Sequence, residues 1–155
     1  MTAKNKPAPL KAEDLTPAVV DLIHFFEHLS PQAVDDLDRH YASDAFFKDP
    51  FNEVTGVPAI KTIFSNMFEQ VDNPRFEVHH AIEQNGQVFL AWHFLFEMKR
   101  FKKGEVQQCR GSSHLQLNEQ GQVAFHRDYW DTAEELYEKI PVLGALMRWL
   151  RKQAG

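Results

Sequence analysis

Two aspartates and one histidine are the side chains best placed by type and position to move a proton. Asp49 ends the short run Phe46-Phe-Lys-Asp49, directly before Pro50. Asp128 lies in Phe125-His-Arg-Asp-Tyr-Trp130, where a period of two puts His126, Asp128 and Trp130 on one strand face and Phe125, Arg127 and Tyr129 on the other. In apolar surroundings a carboxyl group has its pKa raised and becomes a proton carrier near neutral pH, and a nearby imidazole, His126 or His24, can share or orient that proton. Both aspartates also have plainer readings: Asp49 can cap a local turn, and Asp128 can sit in a salt bridge to an Arg or Lys.

The other reactive side chains promise less. Cys109 is the single cysteine and has no evident base beside it, so it is not expected to be a nucleophile. Ser112, Ser113 and His114 are too local to form a triad, and alternation separates Ser113 from His114. His79 and His80 would leave opposite faces of a strand, and no Cys/His/Asp spacing suggests a metal site. The expectation is therefore no metal and no cofactor.

The elements that must position these residues are legible in the hydrophobic period. Thr16-Pro17 has the form of a helix start, and Val19, Val20, Leu22, Ile23, Phe26 and Leu29 recur at helical spacing. Ser30-Pro31 restarts the chain, with Val34, Leu37 and Tyr41 marking a second short helix before a brief strand over residues 45–49. A third helix opens at Val57-Pro58 and carries Ile60, Ile63, Phe64, Met67 and Phe68. Beyond Pro74 the period changes to two, and four strands follow (76–82, 87–101, 105–117 and 123–130), with Asn85-Gly86 a hairpin signal. A helical segment at 131–139 and a final amphipathic helix after Pro141 complete the chain. Helices followed by a strand meander predict an α+β fold, a bent antiparallel sheet wrapped around a helix layer into a cone. The expected organisation is a polar tail over 1–13, one domain over 14–139, and the C-terminal helix over 140–155 packed on it.

A chain of 155 residues is long enough for one core that needs no staples. Its 13 Phe, 3 Trp and 3 Tyr exceed ordinary core needs and suit the walls of an apolar pocket. The net charge of −5, without a run of like charges, argues against a nucleic-acid partner. The lone cysteine suits a reducing compartment, the N-terminus has no apolar signal-peptide core, and no apolar run reaches the ~18 residues a membrane span needs. These features predict a cytoplasmic protein.

Three short stretches carry a resemblance: Tyr41-Ala-Ser-Asp-Ala-Phe-Phe-Lys-Asp-Pro50, Gly56-Val-Pro-Ala-Ile60 and Phe125-His-Arg-Asp-Tyr-Trp-Asp131. In this order and spacing, over roughly residues 16–137, the chain resembles the nuclear transport factor 2-like superfamily in its SnoaL-like branch. That resemblance implies a cystatin-like, cone-shaped α+β barrel and a functionally mixed set of relatives, so fold alone does not name the chemistry. Asp49 falls where ketosteroid isomerases carry a general-base aspartate. Their oxyanion-hole tyrosine and protonated aspartate fall on Phe25 and near Ser113, so both strong donors are lost, each worth about 3 kcal/mol of barrier lowering. The 127–129 segment is similar to that of limonene epoxide hydrolases, but the partner Arg and Asp fall near Trp92 and Phe94. Neither complete catalytic set is present.

If the resemblance sets which face points inward, Asp49, Asp128 and His126 approach a pocket walled by Phe25, Phe64, Met67, Trp92, Phe94 and Trp130, with Ser113 at its base. The expected partner is a small apolar molecule, lipid- or polyketide-like, either bound or transformed by an isomerase, cyclase, dehydratase or hydrolase. The competing readings are a non-catalytic binding or dimerisation module and a lipid or membrane accessory protein. The two-sided apolar strands suit a homodimer through the sheet. The tail helix, with Trp149, Arg148, Arg151 and Lys152, could touch a membrane, but closing the pocket mouth or docking on the partner subunit is the favoured role.

Overall fold

The computed structural model describes residues 14–99, 103–137 and 141–154. The expected tail over 1–13, the last two residues of the expected strand over 87–101 and the stretch around Ile140 lie outside the described residues. Helix α1 spans Pro17–Glu27 and buries Val19, Leu22, Ile23, Phe25 and Phe26. Thr16 does not cap it through its side chain. Instead its hydroxyl and backbone N–H both donate to Glu83, 2.8 and 2.7 Å away, which pins the helix start to a distant strand. Helix α2, Pro31–Asp35, is capped by Ser30, whose hydroxyl oxygen accepts from the Ala33 N–H.

The second expected helix does not continue to Tyr41. One 3-10 turn over Leu37–Arg39 follows α2, and strand β1 (Tyr41–Lys48) begins at Tyr41 itself. The helical spacing of Val34, Leu37 and Tyr41 is a coincidence of core positions, because the Val123 N–H, 2.8 Å from the His40 carbonyl, draws this backbone into the sheet. A tight turn over 49–52 leads to β2 (Glu53–Thr55), which the sequence did not reveal. Gly56, at φ +95°, starts α3 (Val57–Gln70), and strands β3 (Val71–Gln84), β4 (Gln87–Met98), β5 (Val106–Leu117) and β6 (Val123–Trp130) follow. Helix α4 is Thr132–Glu135, capped by the Asp131 carboxylate, and α5 is Pro141–Ala154.

The strands form one six-stranded sheet in the order β2-β1-β6-β5-β4-β3. It curves strongly but does not close, since β2 and β3 remain edges. The meander is antiparallel as expected, and β1 joins it on β6 in parallel, with Phe46 opposite Phe125 and Phe47 opposite His126. The entire meander separates these two strands, so no hairpin dictates their direction. Helix α3 must carry the chain from the β2 edge to the β3 edge, and it does so across the concave face.

Inward and outward faces of β4 follow the alternation. Val88, Leu90, Trp92 and Phe96 are buried, whereas Phe89 is 49% exposed. Inward residues of the sheet meet Val19, Leu22, Leu37 and Ile60 to form the core. The outward face keeps large apolar groups in solvent, including Ile82 at 68% and Tyr129 at 46%. Phe89 stacks there on His114, centroids 4.5 Å apart, and His114 leads on to Phe125 at 5.3 Å. Helix α5 is largely exposed from Ala145 onward, with Trp149 at 56%. No helix among the described residues is long and apolar enough to cross a membrane.

One glycine is required by packing. Gly111 of β5 sits opposite Trp92 of β4, and a Cβ built on it would lie 2.3 Å from the Trp92 ring. Gly111→Ala is therefore expected to displace the indole and destabilise the protein by about 1–3 kcal/mol, the usual range for overpacking. Denaturant unfolding followed by tryptophan emission measures this, and an unchanged midpoint with unchanged emission would refute it.

Candidate functional site

The concave face and helix α3 enclose a cavity of about 280 Å³ walled by Phe64, Met67, Phe76, Trp92, Phe94 and Trp130. A second, small space of about 20 Å³ lies between Trp92, Ser113, His126 and Phe26, and Asp128 borders both. A larger cleft of about 530 Å³ follows Lys48, Asp49, Arg127 and Tyr129. It is shallow and open to solvent, so the smaller enclosed space is the better place for chemistry on an apolar molecule.

Asp128 is oriented from two sides. The Ser113 hydroxyl, 2.5 Å away, donates to Oδ1, and Ser113 accepts in turn from the Trp92 indole N–H at 2.8 Å. The His126 Nε2 lies 2.7 Å from the same Oδ1, and its Nδ1 lies 2.6 Å from the Tyr41 hydroxyl. With an ionised carboxylate as final acceptor, the directions follow: Nε2–H donates to Asp128, leaving Nδ1 to accept from the Tyr41 O–H. Every proton in this chain points towards Asp128. Both bonds fall on Oδ1 and none on Oδ2, and Asp128 borders the open cleft as well as the cavity.

The supporting side chains are fixed by burial. Tyr41 is 1% exposed, His126 3% and Ser113 4%. The Tyr41 phenol is held well above its ordinary range, first by burial and then by the negative charge of Asp128. The His126 ring is gripped edge-on by Phe47 at 4.8 Å and Phe26 at 5.8 Å.

Asp49 borders the same cavity, but its carboxylate is occupied locally. Its Oδ1 accepts from the N–H groups of Phe51 and Asn52 at 2.7 and 2.6 Å, and both its oxygens accept from the Asn52 side-chain amide. This is a turn cap, the plainer of its two readings. Glu135, a third carboxylate on the cavity wall, was not singled out from sequence. It is 5% exposed and accepts from the Arg110 Nε–H at 2.7 Å. These hydrogen bonds to Glu135 and Glu134 hold the Arg110 guanidinium above its ordinary range.

Of the expected wall residues, Phe64, Met67, Trp92, Phe94 and Trp130 line the cavity. Phe25 does not: it packs on His40, centroids 4.3 Å apart, and Phe26 takes the inward position. One residue along a helix is a rotation of about 100°, enough to exchange these two rings. His24 is also excluded, being exposed on α1 and stacked on His28. The residue that sequence reasoning missed altogether is Tyr41. It lies 85 positions from His126 in the chain, and only its spacing from Val34 and Leu37 hinted at burial.

Tyr41 supplies a signed prediction. In the unfolded chain its phenol loses a proton above about pH 10, while the folded protein keeps it. Unfolding is therefore favoured as pH rises past about 10, and the stability supplied below that pH is lost. Tyr41→Phe should weaken this alkaline dependence while costing about 1–3 kcal/mol near neutrality, because the buried His126 acceptor loses its donor. Chemical denaturation from pH 7 to 11 measures both effects, and parallel pH curves for the two proteins would contradict the assignment.

Comparison with known proteins agrees with this architecture. A family model described as a SnoaL-like domain matches residues 22–126. A search of curated proteins gave no match. Among solved structures, the chain is similar to a protein of ketosteroid isomerase-like fold from Catenulispora acidiphila, in complex with trimethylamine, at 16% identity and a TM-score of 0.65, covering 79% of this chain and 92% of that one. It is similar to a candidate SnoaL-like polyketide cyclase from Shewanella putrefaciens at 18% identity and TM-score 0.63, covering 79% and 97%. It is also similar to a LEH-like epoxide hydrolase of M. tuberculosis at 15% identity and TM-score 0.60, covering 76% and 83%. Identities this low speak for the fold alone. The matched segment runs from Leu22, within α1, to His126, more than half of the chain, and the protein belongs to the SnoaL-like domain family.

Proposed function

We propose that the enclosed cavity binds a small apolar molecule, lipid- or polyketide-like, and that Asp128 moves a proton on it without a cofactor. The observation that carries this reading is the division of labour within one carboxylate. Oδ1 is anchored by Ser113 and His126, while Oδ2 carries no hydrogen bond from the protein and the residue borders the apolar cavity. A base held this way is ready before substrate arrives, since its two hydrogen bonds need no rearrangement when a proton reaches Oδ2. His126 and Tyr41 then respond to the change in charge without themselves touching substrate. The same oxygen can return the proton at a second position, which is the chemistry of an isomerase or cyclase. The cavity volume lies near the lower end of the usual ~300–1,000 Å³ for small-molecule sites, which favours one or two rings over a fused four-ring skeleton.

Asp49 and Glu135 have lesser roles in this reading. Their carboxylates are committed to a turn and to Arg110, so they shape the mouth of the cavity. The outward aromatic row of Phe89, His114 and Phe125, with Ile82 exposed beside it, supports pairing of two copies through the sheet. Pairing would cover a face that a monomer leaves in water.

Two experiments test these statements. A library of small cyclic ketones and lactones is screened by thermal shift, and any hit is incubated in D₂O with wild type and Asp128→Asn. Deuterium uptake next to the carbonyl should be slower in the variant by roughly 10²–10⁴-fold, the typical contribution of a positioned base, while the thermal shift persists. Equal uptake in both proteins, or binding with no uptake, would move the protein to a non-catalytic binding module. For the pairing, sedimentation of wild type should give twice the chain mass and Ile82→Glu a lower one; a monomeric wild type would end that part of the proposal.

A further inference from the structure

On the outer face of the sheet, away from the cavity, strands β3 and β4 bring together three metal-ligating groups. Glu77 is directly opposite His93 in the β3–β4 register. His79 would ordinarily stand opposite residue 91, but the ladder shifts between Val78 and His80 and leaves His79 as the extra residue of a bulge. The bulge swings its ring onto His93: Nε2 of His79 lies 2.8 Å from Nδ1 of His93, and the ring centroids are 4.1 Å apart at 68°. One donor atom from each of Glu77, His79 and His93 lies within 4.8 Å of the other two, and all three residues are half-buried.

We propose that Glu77, His79 and His93 form a binding site for a divalent transition-metal ion of the zinc, nickel or copper type. Two imidazoles and one carboxylate are a donor set for ions of intermediate softness, and they lack the all-oxygen shell that magnesium and calcium prefer. Three protein ligands on a sheet face leave further coordination positions for water. The His79–His93 hydrogen bond already holds two ring nitrogens at nearly the separation adjacent ligands require. Inserting an ion between them needs only that the shared proton move to the far nitrogen of its ring or to solvent.

The surrounding charges set how tight such a site can be. Arg75 lies 3.6 Å from Glu77 and competes for that carboxylate. Arg110, opposite His93 on β5, would repel a cation, but Glu134 and Glu135 each hold its guanidinium at 2.7 Å. His80, although next in sequence, is exposed and outside the cluster.

The test uses the full chain after EDTA treatment and dialysis, with Zn²⁺ in calorimetry and Co²⁺ in absorption as probes. Wild type should bind one equivalent, raise its melting temperature, and with Co²⁺ show visible ligand-field bands. His79→Ala and Glu77→Gln should each weaken binding beyond the roughly 10–100-fold that losing a mere supporting partner of a ligand costs. Far-ultraviolet circular dichroism and metal-free melting temperatures check that the variants fold. The stacked His24 and His28, four residues apart on α1, are the competing site. Binding that survives His79→Ala but is lost in His24→Ala would overturn the proposal, as would a wild type that binds no ion at micromolar Zn²⁺.

Discussion

Asp128 Oδ1 is the point on which the inner face of the sheet converges. Its hydrogen bonds reach β5 through Ser113, β4 through Trp92, and β1 through His126 and Tyr41. A carboxylate drawn this far into an apolar interior is costly unless its hydrogen bonds are made, and here four neighbouring strands are aligned so that they are. Had any of these strands slipped by one residue, the donors would have turned outward and left the charge unpaired. The polar chain thus acts as a register lock for the sheet as well as an orienting device for the carboxylate.

The same constraint explains features that look unrelated along the chain. Gly111 has no side chain because the Trp92 indole must lie across β5 to reach Ser113. The parallel pairing of β1 with β6 brings Phe47 beside His126 and starts β1 at Tyr41, whose hydroxyl meets the imidazole. The cavity is what remains after α3 crosses the curved sheet without filling it, and Asp128 stands at its border. On the opposite face, bulging of β3 at His79 makes an accessory cluster without disturbing the inward alternation at Val78 and Trp92.

Hydrophobic period and turn chemistry, both local, determined much of this protein from the sequence alone. The four long strands, the Asn85-Gly86 hairpin, helices α1 and α3, and the shared face of Leu90, Trp92, Phe94 and Phe96 are all readable that way, as is the shared face of His126, Asp128 and Trp130; which face points inward is not. What needed tertiary structure was every relation between segments distant along the chain. Tyr41 looked helical because the spacing of core residues before it imitates a helix, and its bond to His126 spans 85 positions. Phe25 and Phe26 differ only by the rotation of α1, which packing against His40 and the sheet decides. Asp49 and Asp128 were equivalent candidates as letters; hydrogen bonds to the 51–52 backbone committed one to a turn, while side chains from other strands committed the other to the cavity. His79 and His93 could not be paired from alternation, because a bulge breaks the period of two at that residue. Local periodicity encodes which residues share a face, but only the closed set of strand registers decides what they meet there.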